Sequence, residues 1–273
     1  MQEALKYYEQ ALSLLREQGD RQGEGLLLIQ LGQVYNRLGM KERARDSYEL
    51  ALSIAQEVGD RGMEARVLNN LGILYDELEQ KDEALKSYEQ ALRISRAISD
   101  HEVEGRALNN LGLFSHALGK QEEALKYLQQ ALDIFKELRN RDWEGVTLNR
   151  LGLVYNALGK KKEALNYYQQ ALIIRREVGD RSGEGKTLHN IGVLYSELGH
   201  YRSALAFFLF TKEIFEELQS FSDYKDEQRW IETLRNEVGE KQFAILLADV
   251  EPQAHQIVTQ ALDEGQDLIS NAP

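Results

Sequence analysis

The chain has 273 residues, 42% of them hydrophobic and 29% charged, with a formal net charge of −12. That balance belongs to a chain with a core rather than a disordered one, and its acidity argues against a general nucleic-acid binder, which needs a basic face to displace counterions. Cysteine is absent, which excludes disulfides and thiolate metal sites.

The N-terminus, MQEALKYYEQ, is acidic and amphipathic and does not read as a signal peptide. The longest apolar stretches, such as Phe243–Ala248, are too short to cross a bilayer, so no membrane association is expected. The only prolines are Pro252 and Pro273, so residues 1–251 carry no proline break and suit long helices.

Residues 1–19 read as the second helix of a pair. Ala4, Leu5, Tyr8, Ala11 and Leu12 form a face that is expected to lack its first-helix partner. A repeat then starts. LGQVY, LGILY, LGLFS, LGLVY and IGVLY carry Gly32, Gly72, Gly112, Gly152 and Gly192, each 40 residues from the last without insertion. Ala44, Ala84, Ala124, Ala164 and Ala204 follow in phase.

Each unit holds two helical patterns. Over 65–79, Leu68, Leu71, Gly72 and Tyr75 fall on one helix face; over 82–98, Ala84, Leu85, Tyr88, Ala91, Leu92 and Ile94 do the same. Gly39, Gly119, Gly159 and Gly199 stand between the two helices, where a left-handed cap is wanted. Glu79 is the exception and predicts a less ideal turn. Between units, Gly59-Asp60 and Gly179-Asp180 predict a helix end followed by an N-cap. Gly32 and its equivalents lie inside helices, where glycine costs about 1 kcal/mol against alanine. Five such positions predict a close helix–helix approach. Trp143, in an inter-unit turn, is expected to cover a neighbouring helix end. Ser115, in the tyrosine column, predicts local repacking.

Towards the C-terminus, Phe207, Phe208, Phe210 and Phe215 are expected to pack on a capping helix at 225–238 through Trp230, Ile231, Leu234 and Val238, stopped by Gly239. An apolar segment, Phe243 to Val250, follows. Pro252 opens a last helix with Ile257, Val258, Ala261 and Leu262, which caps, dimerises or folds back into the molecule as an internal ligand.

The pattern Leu68-x-x-Leu71-Gly72-x-x-Tyr75, then Ala84, Tyr88 and Ala91, resembles the tetratricopeptide repeat. The resemblance covers five units, residues 25–224, after a half repeat at 1–24 and before capping helices and an acidic tail at 225–273. The usual unit has about 34 residues and ends near a proline; this one has 40 and none. Its first large residue is leucine (Leu28, Leu68, Leu108, Leu148, Leu188) rather than tryptophan. Both features resemble the long-repeat branch of the Pins/LGN polarity adaptors, kinesin light chains and bacterial signalling proteins. The resemblance implies an all-α fold: an α-solenoid of stacked antiparallel helix pairs forming a curved right-handed superhelix with a concave groove lined by first helices.

On that reading the residues just past the leucine column merit attention. The middle units present Asn69-Asn70, Asn109-Asn110, Asn149-Arg150 and His189-Asn190, flanked by Arg66, Arg106 and Lys186. An amide offers two donors and an acceptor to any backbone, and arginine pairs with carboxylates through a rigid fork. Together they predict an acidic protein or peptide segment as partner. The same asparagines equally suit bonds to an adjacent helix, and the two roles are not exclusive. The basic block of Lys160, Lys161, Lys162, Arg175 and Arg176 reads as a solvated surface, with an acidic docking partner as the sharper alternative.

Gly185-Lys186-Thr187 looks like the end of a phosphate loop, but the required glycine five residues earlier is Asp180 and a helix precedes it. His101-Glu102 lacks the second histidine of a zinc-protease helix, and no nucleophile elbow appears. The expected function is therefore a cytoplasmic, non-enzymatic scaffold or adaptor without cofactor. The alternatives are a sensory or regulatory module of a larger signalling protein, and a unit that self-associates through its N-terminal half repeat or its C-terminal helix.

Overall fold

The computed structural model describes the backbone of residues 2–270 and the side chains of residues 5–263. The Ala4 side chain, Pro273 and the end of the acidic tail lie outside the described residues. The chain divides into two compact units, at Leu138 and Arg139. The first holds α1 (Gln2–Gln18), α2 (Arg21–Arg37), α3 (Lys41–Val58), α4 (Arg61–Glu77), α5 (Lys81–Ile98), α6 (His101–Ala117) and α7 (Gln121–Glu137). The second holds α8 (Arg141–Ala157), α9 (Lys161–Val178), α10 (Arg181–Glu197), α11 (Tyr201–Glu217), α12 (Phe221–Val238), α13 (Glu240–Val250) and α14 (Ala254–Ser270). No strand occurs among the described residues. Within each unit, successive helices pack as pairs, α2 with α3, α4 with α5 and α6 with α7, then α8 with α9 and α10 with α11.

A twenty-residue metre sets these elements. Positions 19, 39, 59, 79, 99, 119, 139, 159, 179, 199 and 219 all have left-handed backbone, with φ between 53° and 76°. Seven of these are glycine. Glu79, Ser99, Arg139 and Gln219 adopt the same conformation despite their side chains, so the turn at Glu79 is regular in shape and costs about 1–2 kcal/mol more than glycine would. The following residue alternates in role. Asp20, Asp60, Asp100, Asn140 and Asp180 each accept a hydrogen bond from the backbone N–H three residues on, at 2.8–3.2 Å. Such a cap contributes about 1 kcal/mol at each first helix. The second helices start at Met40, Gln80, Lys120, Lys160 and His200 with no side-chain cap, and rely on packing.

That packing is tightest at the signature glycines. A Cβ on Gly72 would stand 2.6 Å from the Tyr88 ring, and one on Gly112 would stand 2.6 Å from Leu128. Gly32 meets Tyr48, Gly152 meets Tyr168 and Gly192 meets Phe208 in the same way. Ala44, Ala84, Ala124, Ala164 and Ala204 are fully buried beside them. A second set, which the sequence reading missed, lies nearer the start of the first helix and packs within the same pair: Gly105 faces Phe135 and Gly185 faces Phe215. Gly185 is therefore a packing glycine, Thr187 donates to the Gly183 carbonyl at 2.9 Å, and the phosphate-loop likeness dissolves into mid-helix geometry.

Two expectations at the ends change, and an open one is narrowed. Leu5, Tyr8 and Leu12 are not left without a partner; they pack half-buried against the core of α2, α3 and α4. The exposed residues of α1 are Tyr7 and Leu14. The aromatic run of α11 divides between two helices rather than resting on one. Phe208 faces Trp230 of α12 at 6.1 Å between rings, whereas Phe210 faces His255 of α14 at 4.3 Å. Finally, α14 packs mainly against the second helices α9 and α11, where Gln169 of α9 donates to the Leu262 carbonyl at 2.7 Å, and it also reaches the first helix α10, whose Tyr195 donates to the Ala261 carbonyl at 2.9 Å. Most of its packing is thus on second helices.

Two substitutions test the metre. Gly72→Ala is expected to lower stability by about 1–3 kcal/mol, because the buried Tyr88 ring has nowhere to go. Glu79→Gly is expected to raise it by up to about 1 kcal/mol by relieving the left-handed strain. Urea midpoints followed by helical circular dichroism measure both, and a neutral Gly72→Ala would refute the close-approach argument.

Candidate functional site

The predicted residues lie on first helices, about two to three turns from the capped N-termini. In the first unit they occupy α4 and α6. Arg66 is exposed and Arg106 half-buried, while Asn69, Asn70, Asn109 and Asn110 are buried. Asn110 Nδ2 donates to Asn69 Oδ1 at 3.1 Å, so this amide ladder ties α4 to α6. Asn190 repeats the bond to Asn149 at 3.0 Å and ties α8 to α10. The asparagines thus perform the stacking role. Burial pushes the Arg106 guanidinium below its ordinary basicity; Glu102 opposes this, and the neighbouring Arg66 cation adds to it. Arg150 is half-buried on α8.

In the second unit the structure brings four predicted residues together around one cavity of about 510 Å³: Asn149 of α8 with Lys186, His189 and Asn190 of α10. Lys186, His189 and Asn190 are three and four residues apart and share a helix face. Phe215 of α11 contributes to the wall. The opposite side is α12, which presents Asp223, Asp226, Glu227 and Trp230 at the same helical spacing, with Arg229 beside them.

Sequence reasoning missed the α12 residues, although the period held the signal. Carried one step further, the 40-residue register places Asp226 in the column of Arg66, Arg106 and Lys186, and Trp230 in the column of Asn70, Asn110 and Asn190. Glu227 falls in the column of Val67, Ala107, Thr147 and Thr187, all of them buried. A carboxylate therefore occupies a core position. It is only 1% exposed. His189 Nδ1 donates to its Oε2 at 2.7 Å, and Oε1 has no hydrogen-bond partner. Burial raises the Glu227 pKa above the carboxylate norm, against the opposing pull of His189. The His189 ring also sits 5.4 Å from Trp230 and 5.8 Å from Phe208, which fixes its orientation.

The fold and site define an α-helical repeat scaffold of antiparallel helix pairs, with a polar row on its first helices. The model of the tetratricopeptide repeat matches residues 1–57, 42–97, 103–177 and 144–217, and the chain belongs to that family of protein-interaction scaffolds. No curated protein matches it in sequence. Among solved structures it is similar to BtubC (BKLC) from P. vanneervenii, at 25% identity and a TM-score of 0.65, over 79% of this chain and 91% of that one. It is similar in fold to a Rap protein complexed with competence and sporulation factor, at 16% identity and a TM-score of 0.66, over 92% and 77% of the two chains. It also resembles a signal transduction ATPase with a tetratricopeptide repeat sensor from Pyrococcus horikoshii, at 17% identity and a TM-score of 0.67, where 96% of this chain matches 41% of the other. Among the described residues no helix is long and apolar enough to cross a membrane.

The orphaned carboxyl makes stability depend on pH. Its folded pKa is raised, so the folded state holds the proton more tightly than the unfolded chain. Its contribution is most favourable below the ordinary carboxylate pKa and is lost as pH rises through the folded value. Against Glu227→Gln, the wild type is therefore expected to lose relative stability as pH rises from 4 to 8. Paired thermal melts across that range measure it; a flat difference would contradict the assignment.

Proposed function

We propose that the chain is a scaffold whose first helices hold a segment of a partner protein, acidic where it meets α4 and α6. The observation that carries this reading is the cation column of Arg66 and Arg106. Arg106 is held half-buried, and its basicity is lowered first by burial and then by Arg66, against the opposing pull of Glu102. A guest carboxylate between them would offset that mutual repulsion and pair with a guanidinium fork. The flanking amides Asn69, Asn70, Asn109 and Asn110 then serve as a rigid backing, because they are buried between helices. Within the second unit, Asn149, Arg150, Lys186, His189 and Asn190 occupy the same repeat positions and are at least partly accessible.

The Rap protein, complexed with competence and sporulation factor, supports a partner held by such an array through likeness of fold alone. A second reading, a regulatory module within a longer signalling protein, draws on the sensor of the Pyrococcus horikoshii ATPase, where a similar array makes up 41% of a larger chain.

Fluorescence anisotropy with a fluorescein-labelled twelve-residue Glu/Ala peptide and its Lys/Ala counterpart tests the main reading. The acidic peptide is expected to bind preferentially, to weaken as salt rises, and to lose at least tenfold in affinity on combined Arg66→Ala and Arg106→Ala substitution. Equal binding of both peptides, or an unaffected double variant, would sink the proposal.

A further inference from the structure

The cavity between α10 and α12 has a different chemistry from the Arg66–Arg106 column. Its acceptors are Glu227, Asp223 and Asp226, and most of its charges are already matched. Asp226 pairs with Arg229 at 2.8 Å, and Ser220 Oγ donates to Asp223 at 2.5 Å. His189 takes Glu227 Oε2. What remains is Glu227 Oε1, shielded from water and without a partner, on a residue that lines the cavity wall. A buried acceptor left in that state is costly, and the missing element is a donor. The helix column points the same way: cations stand at Arg66, Arg106 and Lys186, and the sign reverses at Asp226.

Building on the scaffold reading above, we propose that this cavity receives an arginine side chain of the bound partner segment, with the guanidinium on Glu227 Oε1 and its plane against the indole of Trp230. Trp230 is 38% exposed, so its ring is available to a guest, and Phe215 offers an apolar surface to the aliphatic stem. A guanidinium is flat, weakly hydrated and stacks on aromatic faces, which suits a deep acceptor beside a tryptophan better than a compact ammonium does. A guest carboxylate would instead meet three carboxyl side chains, with Arg229 and His189 already paired to Asp226 and Glu227. Lys186, an exposed cation one turn from His189, is placed for a main-chain carbonyl or a neighbouring acidic residue of the same segment.

The test uses the full chain and Trp230 as reporter. The chain has two tryptophans, so the loss of one indole signal in Trp143→Phe assigns the other to Trp230. The N-acetyl, N-methylamide derivatives of arginine, citrulline, lysine and glutamate are titrated against the ¹⁵N-labelled protein. The arginine derivative is expected to shift the Trp230 indole saturably, at least fivefold more tightly than citrulline, which has nearly the same shape without charge. Lysine is expected between them and glutamate without effect. In Glu227→Gln the preference for arginine over citrulline is expected to fall below twofold. Citrulline or glutamate matching arginine, a preference that survives Glu227→Gln, or no saturable shift with arginine would each overturn the proposal. The wild-type comparison of arginine with citrulline needs no variant, so it stands even if Glu227→Gln unfolds. Failure here leaves binding of the acidic peptide at Arg66 and Arg106 untouched, and failure there leaves this titration to be read by itself.

Discussion

The structure depends on one contact, the seating of a ring or branched side chain against a backbone with no Cβ. Gly32, Gly72, Gly112, Gly152 and Gly192 each lie sixteen residues before the group that covers them. That contact sets the distance between the two helices of a pair, and with it the length of the turn. Ion pairs then recur at fixed separation. Arg21 pairs with Glu57 at 2.5 Å, Arg181 with Glu217 at 3.2 Å and Arg141 with Glu177, each 36 residues on. Buried carboxylates are held in the same repeating manner: Glu24 by Arg16 and Arg21, and Glu184 by Arg176 and Arg181. Such surface-to-half-buried pairs contribute little singly. Repeated at each pair of helices, they hold the register that the glycines establish.

A repeat with a fixed register separates packing from recognition by column. The asparagine column is taken up by bonds between neighbouring first helices, Asn69 with Asn110 and Asn149 with Asn190. Chemistry then comes from departures within a column. Threonine at 147 and 187 closes a hydrogen bond to its own helix, whereas glutamate at 227 brings a charge to the same buried place. The site arises because a core position of the array was given a group that the core cannot satisfy.

Much of the architecture was legible because each local signal agreed with the next. The helix pairs, the Asp60 and Asp180 caps, the left-handed glycines and the helix–helix approach at Gly72 all follow from spacing and residue type. The C-terminal half of the cavity was not. The helix α12 continues the register of first helices but lacks their signature: Gln228, Glu232 and Arg235 replace the leucine, glycine and tyrosine. Without a full-length second helix packed behind it, the close approach that demands glycine is absent, and with it the pattern that marks the unit. The helix α13 is eleven residues long, too short to complete a pair of the usual length.

The sequence by itself determined the period, the turns and the identity of the packing columns, because these rest on interactions between residues at constant separation along the chain. Only the tertiary structure decided which polar residues remain for a partner. Asn109 and Lys186 look alike as candidates in a list of columns, yet one is sealed between helices and the other is exposed. The pairing of His189 with Glu227, and the unpartnered oxygen beyond it, likewise needed the packing of α10 against α12, since burial and partnership are properties of neighbours in space rather than in sequence.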